Sequence, residues 1–163
     1  MQGICFIEPM FKKVISEQKS QTRRIIPASR RARYQLNEIL YLKEPYFVWE
    51  PEHTPGGMDK RFAYKYGAEK ELEQFRKLEF ELGYSSYYWH NKLFMPASHA
   101  RYFIKITEIG TQYLNDISKK DAIAEGFKSI ADFQNTWITL HGFSSLKANP
   151  LVFVYEFELR VKV

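Results

Sequence analysis

The chain has 163 residues, of which 45% are hydrophobic and 26% are charged, which excludes a disordered chain and fits one globular domain. No run reaches the roughly 18 apolar residues of a membrane-spanning helix, and the single cysteine, Cys5, excludes an internal disulfide. No signal peptide is evident at the start. The sequence therefore predicts one cytoplasmic domain over residues 1–163, without a membrane segment.

The net charge of +5 is concentrated at one end of the chain. Residues 1–34 have a local balance of +6, whereas the other 129 residues sum to −1. A basic end on a neutral body is typical of a protein with a polyanionic partner, although a solvated basic face without a ligand is the alternative. Because the guanidinium fork suits phosphate, we expect five arginines to contact nucleic acid: Arg23, Arg24, Arg30, Arg31 and Arg33.

The first elements along the chain are short. Residues 4–7 have the pattern of a strand, and Pro9 opens a helix over residues 10–16. Residues 17–24 are predicted to form a loop, and an irregular segment follows it. A second strand is expected over residues 38–42, ending before Pro45 because proline blocks further pairing inside a sheet.

Residues 46–93 have the features of an insertion rich in aromatic side chains. Prolines and a Gly-Gly pair mark turns, and residues 68–82 carry apolar side chains at helical spacing. The tip contains Tyr87, Tyr88 and Trp89. Packing of these rings against the host is the favoured interpretation, and a base stacked on Trp89 is the functional alternative.

The last third of the chain alternates between strand and helix signals. A strand is predicted over residues 101–109. The Ser118–Asp121 spacing is that of a capping box, which opens a helix ending near Gly126. Trp137 falls on the apolar stripe of the next helix, where it is expected to be core. From Phe153 onward, apolar and polar residues alternate, which predicts a strand with one buried and one wet face.

These elements predict an α+β fold, because strands and short helices occur without βαβ alternation, and a barrel or strongly curved sheet is expected at the centre. The sequence lacks a phosphate-binding loop and a glycine-rich dinucleotide turn. Its four histidines lack metal-ligand spacing. We therefore expect no metal and no cofactor.

The segment from Glu17 to Arg24, EQKSQTRR, is the most informative. It places an amine, a hydroxyl and two guanidinium groups within six residues. Such side chains bind phosphate, and a hydroxyl beside an amine base also forms a nucleophile in some enzymes. Without further context, the phosphate-binding or simply solvated interpretation is favoured.

The stretch KSQTRR after a short helix resembles the Gly-x-Lys-x-x-Thr-x-Arg signature of ASCH domains. Three further segments resemble blocks of that family in the same order, MPASHAR, DISKKDAIAEGF and NPLVFVYEF. The chain looks like the longer phage-type and bacterial members, with residues 46–93 as a branch-specific insertion. One departure is Glu17, where the family has a glycine that would allow positive φ.

The resemblance implies a PUA-like β-barrel with a cleft beside the Lys-x-x-Thr loop, and RNA or a modified nucleoside as the ligand. Some small bacterial members are amidohydrolases that remove the acetyl group from acetylcytidine. Carried over by motif, Lys19 would be the base, Thr22 the nucleophile and Glu125 the acid or base. The alternatives are thus an RNA- or nucleoside-binding domain, such an amidohydrolase, or a non-catalytic module whose insertion docks a protein. No oligomeric state follows from the sequence.

Overall fold

The computed structural model describes residues 1–49, 61–66, 73, 77 and 90–161. Glu73 and Lys77 are helical. The rest of the helix predicted over residues 68–82 lies outside the described residues, as does the aromatic tip with Tyr87, Tyr88 and Trp89. No helix in the described part of the chain has the length and apolar character needed to cross a membrane.

The described elements confirm the α+β prediction. The strands are β1 (Gly3–Cys5), β2 (Gln21–Ile25), β3 (Ile39–Lys43), β4 (Tyr46–Trp49), β5 (Arg61–Tyr64), β6 (Tyr102–Tyr113) and β7 (Leu151–Val161). The α-helices are α1 (Glu8–Ile15), α2 (Lys119–Ala124), α3 (Ile130–His141) and α4 (Phe143–Ala148). Five strands form a mixed sheet in the order β1-β3-β6-β7-β2, and β4 pairs with β5. Among the described strands this sheet is open, so the closed barrel stays a prediction.

The chain divides into two compact units. The first comprises residues 1–12 and 41–101, and the second comprises residues 13–40 and 102–163. The predicted insertion, residues 46–93, falls within the first unit. A single domain over residues 1–163 stays a prediction.

A buried carboxylate organises the first unit. Glu44 is fully buried and accepts hydrogen bonds from Arg101 Nε at 2.9 Å and from its terminal nitrogen at 2.7 Å. The same guanidinium donates to the Tyr66 carbonyl at 2.7 Å and lies 4.1 Å from the centroid of the Tyr64 ring. Arg101 therefore neutralises Glu44 and joins separate segments of this unit.

We expect Arg101→Met to lower the free energy of unfolding by about 3–5 kcal/mol, because it leaves the buried Glu44 carboxylate without its cation. The double variant Glu44→Gln/Arg101→Met should lose less, because no unpaired charge remains. Urea unfolding measures both values. Equal losses in the single and double variants would contradict a charge-pairing role.

The second unit is built on three antiparallel strands. β6 pairs with β7 along its length, with a bulge between Ile106 and Glu108, and β2 pairs with β7 so that Thr22 lies opposite Tyr155. The helices cover one face of these strands through an apolar cluster that includes Trp137, which confirms its predicted place in the core. The other members are Leu114, Ile117, Ala122, Phe133 and Val152.

Several boundaries differ from the sequence-based predictions. The loop predicted over residues 17–24 is wrong from Gln21 onward, because β2 begins there and its polar side chains find buried partners. The alternation predicted for β7 is confirmed, because Phe153, Tyr155 and Phe157 are buried and Glu156, Glu158 and Arg160 are exposed. β6 extends past the predicted end at residue 109 to Tyr113, and helix α4 was not predicted.

Candidate functional site

Helix α1 ends in a tight turn that leads directly to Lys19. Glu17 donates to the Val14 carbonyl at 3.0 Å, and Gln18 donates to the Lys13 carbonyl at 2.8 Å. This pair of bonds is a Schellman motif, in which the first residue after the C-cap takes a left-handed conformation. Glu17 has φ 58°, so the position at which the resembling signature has glycine is left-handed in this chain.

Helix α2 begins and ends with comparable signals. Its capping box is confirmed: the Ser118 hydroxyl accepts from the Asp121 amide at 3.1 Å, and the Asp121 carboxylate accepts from the Ser118 amide at 3.2 Å. Glu125 is the C-cap residue, and Gly126 follows it with φ 89° and donates to the Ile123 carbonyl at 2.8 Å. Glu125 thus occupies a fixed backbone position at the end of the helix.

Backbone hydrogen bonds join the segment that follows α1 to the end of α2 and to β7. The Ser20 amide donates to the Ala124 carbonyl, and the Phe157 amide donates to the Ser20 carbonyl, both at 2.9 Å. A Cβ added to Gly126 would lie 3.3 Å from Lys19 Cβ. Backbone contacts alone therefore bring Lys19 beside Glu125.

The side chains of Lys19 and Glu125 form a buried ion pair. Lys19 Nζ lies 2.6 Å from Glu125 Oε2, and the two side chains are 3% and 4% exposed. Lys19 Nζ also donates to the Glu125 carbonyl at 2.8 Å and to the Gln21 carbonyl at 2.7 Å. An ammonium group has three protons, so these three acceptors match it.

Arg23 contacts the same carboxylate from strand β2. One terminal nitrogen donates to Glu125 Oε1 at 3.1 Å and to Gln21 Oε1 at 2.6 Å, and the other donates to Gln112 Oε1 at 2.8 Å. Asp121 lies 3.6 Å from this guanidinium. We call Lys19, Gln21, Arg23, Gln112, Asp121 and Glu125 the polar cluster. The buried Nε of Arg23 has no hydrogen-bond partner among the described residues.

The cluster shifts the acidity of two of its members. Burial lowers the pKa of Lys19 below its usual 10.5, and the attraction of Glu125 opposes this only in part. For Asp121, burial raises the pKa, but hydrogen bonds from Ser118 and Gln21 and the charge of Arg23 outweigh it, so the pKa is lowered. Proton transfer along the 2.6 Å Lys19–Glu125 contact would produce a free amine beside a carboxylic acid.

Thr22 lies outside the polar cluster. Alternation along β2 places its side chain on the face opposite to those of Gln21 and Arg23, beside its cross-strand partner Tyr155. Thr22 is buried, with 5% of its surface exposed. The structure thus brings Lys19 and Glu125 together and leaves the Thr22 hydroxyl on the other side of the strand.

The predicted nucleic-acid contacts separate into two groups. Arg23 is 5% exposed and its guanidinium contacts Glu125, so phosphate contact by Arg23 stays a prediction. The other four arginines are exposed: Arg24, Arg30, Arg31 and Arg33. Trp89 lies outside the described residues.

Sequence reasoning missed three members of the polar cluster. The sequence pattern places Gln21 in a loop, Gln112 lies beyond the predicted end of its strand, and the pattern at Asp121 indicates only a helix cap. The available signal was the alternation of Gln21 and Arg23, which places both on one face once β2 is recognised as a strand.

The site contains no obvious metal centre. No group of three or more His, Cys, Asp or Glu side chains that could hold a metal ion occurs within residues 1–49, 61–66, 73, 77 and 90–161. The polar cluster pairs two cationic side chains, Lys19 and Arg23, with two carboxylates, Asp121 and Glu125. Its formal charge is therefore zero, which suits an uncharged ligand.

Comparison with solved structures relates this chain to ASCH domains. An ASCH domain from Lactobacillus crispatus JV V101 matches with a TM-score of 0.53 and 11% identity, over 97% of this chain and 77% of that chain. A DUF984 protein from Enterococcus faecalis V583 matches with a TM-score of 0.49 and 12% identity, over 99% and 81%. No protein-family model matches. No curated protein matches either. The ASCH-type fold predicted from the motifs is confirmed.

We expect Glu125→Gln to lower the free energy of unfolding by about 3–5 kcal/mol, because Lys19 and Arg23 lose their buried counter-ion. Lys19→Met/Glu125→Gln should lose less than Glu125→Gln alone. Urea unfolding measures these values. The matched control is Glu158→Gln, which breaks a pair with Arg160 whose side chains are both 50% exposed and should cost at most about 1 kcal/mol. A loss in Glu125→Gln no larger than in this control would refute the buried-pair interpretation.

The lowered pKa of Lys19 predicts a pH dependence of stability. The unfolded chain holds this proton up to about 10.5, whereas the folded chain releases it at lower pH, so this residue makes stability rise as pH approaches 10.5. The free energy of unfolding, measured from neutral pH to about 10.5, should therefore increase in the wild type relative to Lys19→Met. A constant difference, or one of opposite sign, would show that burial does not lower this pKa.

Proposed function

We propose that this chain, which has an ASCH-type fold, binds RNA or a modified nucleoside at the polar cluster. The observation that carries the proposal is the gathering of three ionisable side chains, Lys19, Arg23 and Glu125, each at most 5% exposed. Burying such groups is expensive, and replacing them with apolar residues is often neutral or stabilising. Groups with perturbed acidity are also concentrated at functional sites.

The chemistry of the cluster suits a nucleobase. The side-chain oxygens of Gln21 and Gln112 accept from Arg23, and the Gln21 NH2 group donates to Asp121 and Glu156. The Gln112 NH2 group donates one N–H to the Asp116 carbonyl and has a second N–H for a ligand. Arg23 Nε–H is a buried donor without a partner among the described residues. Protein recognition of an unstacked base uses such groups on its hydrogen-bonding edges. The Asp121 side chain is 27% exposed, so we infer that the ligand approaches along its side.

The PUA-like barrel implied by the sequence resemblance is part of this proposal. The five-stranded sheet supplies strands for such a barrel, with β1 and β2 at its edges. In that arrangement, the cleft would lie beside the Lys19–Arg23 segment, at the beginning of edge strand β2.

An amidohydrolase is the second candidate, favoured by the buried Lys19 amine 2.6 Å from a carboxylate. In this mechanism, Thr22 Oγ would attack the acyl carbonyl carbon, and neutral Lys19 would take the hydroxyl proton. The C–N bond would break as Glu125 protonates the leaving amine. Water would then hydrolyse the acyl-threonine ester and release the carboxylic acid. Because Thr22 lies on the other face of β2, binding is better supported than catalysis.

We expect the wild type to bind cytidine or N4-acetylcytidine, and Asp121→Asn to weaken that binding, as measured by titration calorimetry. The loss should be about 10- to 100-fold if the carboxylate bonds directly to the ligand. The matched control is Asp132→Asn, which alters the corresponding first-turn aspartate of helix α3. Equal affinities in both variants, or no binding by the wild type, would contradict the proposed site.

Turnover distinguishes the two candidates. If the domain is an amidohydrolase, chromatography should detect cytidine and acetate released from N4-acetylcytidine, and Thr22→Ala should abolish the release with little change in affinity. Activity that survives in Thr22→Ala would show that Thr22 is not the nucleophile. Binding without turnover by the wild type supports a binding domain.

A further inference from the structure

The strands of the second unit have a second face, opposite to the polar cluster. Phe153 on β7 lies between Arg24 on β2 and Thr111 on β6, its two cross-strand partners. Tyr113 on β6 lies opposite Leu151 on β7. Directly opposed residues share a face. We call Arg24, Thr111, Tyr113, Leu151 and Phe153 the open sheet face.

This face presents large apolar side chains to solvent. Tyr113 is 55% exposed and Leu151 is 42% exposed, whereas Phe153 on the same face is 8% exposed. Arg24 and Thr111 are also exposed. An aromatic ring beside an aliphatic side chain on the same side of two paired strands forms a flat platform, and a base has the shape and π-face to stack on it.

The segments that supply the open sheet face contain cationic residues and no acidic ones. No Asp or Glu occurs in residues 18–37, 109–115 or 141–155, which supply the open sheet face and its neighbouring segments. The backbone amide of Arg33 donates to the Tyr155 hydroxyl at 3.1 Å, and Tyr155 shares this face. The segment that carries Arg30, Arg31 and Arg33 therefore passes next to it. These charges complement a polyanion.

We propose that the open sheet face binds single-stranded RNA, with a base stacked on Tyr113 and phosphates held by Arg24 and the Arg30–Arg33 segment. The inference rests on the proposed function, because it assumes RNA as the partner. Aromatic platforms combined with cationic surroundings are the usual means of binding single strands without reading their sequence. An acidic protein would contact the cationic side chains without a base to stack on Tyr113. A loss of binding on removal of the Tyr113 ring therefore distinguishes RNA from an acidic protein.

Strand β2 connects this face to the polar cluster. Arg23 points into the cluster and Arg24, the next residue, lies on the open sheet face. β2 is also an edge strand of the sheet. An RNA strand that runs from the polar cluster on one face to the open sheet face on the other therefore passes around β2 alone. The open sheet face would hold the RNA that continues from a nucleoside placed in the cluster.

The test uses fluorescence anisotropy with a labelled single-stranded RNA of about 12 nucleotides, from about 50 to 200 mM salt. Tyr113→Ala should weaken binding about 5- to 100-fold, whereas Tyr113→Phe, which keeps the ring, should retain most of the affinity. Arg24→Glu should weaken binding and reduce its salt dependence. Matched controls are Phe143→Ala, an exposed ring on α4, and Arg160→Glu, an exposed cation on β7 outside the open sheet face.

Unchanged affinity in Tyr113→Ala would overturn the proposal, as would an equal loss in Arg160→Glu. Loss in Arg24→Glu with full affinity in Tyr113→Ala, together with competition by polyglutamate, would assign the face to an acidic protein instead. Cytidine binding is measured separately on the same variants. If the protein binds cytidine but not RNA, the inference about the open sheet face is wrong and the proposed nucleoside site stands. If it binds RNA through Tyr113 but not cytidine, the proposed nucleoside site is wrong and the inference about the open sheet face stands.

Discussion

The buried contact between the Lys19 ammonium and the Glu125 carboxylate is the constraint on which the rest of the site depends. Two helix ends converge there, each closed by a Schellman motif, and Lys19 also binds the backbone carbonyl at the end of α2. Arg23 can be buried because the other oxygen of Glu125 neutralises it and accepts from it, and because Gln21 and Gln112 accept from it as well. Without Glu125, two cations would face each other in a protein interior.

Such an arrangement is a poor way to gain stability, since desolvation of the charges offsets most of their attraction. What it provides is orientation. Lys19, Arg23 and Glu125 fix one another, and the amides of Gln21 and Gln112 are held with their acceptors toward the guanidinium. A preorganised set of donors and acceptors recognises a ligand at lower entropic cost than mobile side chains do. Thr22, on the other face of β2, is not oriented by this network.

Local signals predicted much of the fold and only part of the site. The capping box at Ser118, the core position of Trp137 and the C-terminal strand follow from short-range patterns, which the structure retains. The burial of Arg23 could not be read in this way, because its partner Glu125 is 102 residues away. For the same reason the sequence predicts a loop where β2 forms, because the polar residues of β2 are stabilised by contacts that form only after the chain has folded. The motif resemblance supplied Lys19 and Glu125, but not the direction of Thr22.

The Arg23 side chain offers the most direct test of the central claim that the polar cluster recognises a nucleobase. Its Nε–H is buried without a partner among the described residues, and its signal in a ¹H–¹⁵N NMR spectrum can be assigned by its loss in Arg23→Lys. As cytidine is added, that signal should shift and its hydrogen exchange should slow, because the ligand supplies the missing acceptor. A signal that remains unchanged while cytidine saturates the protein would contradict recognition at this cluster.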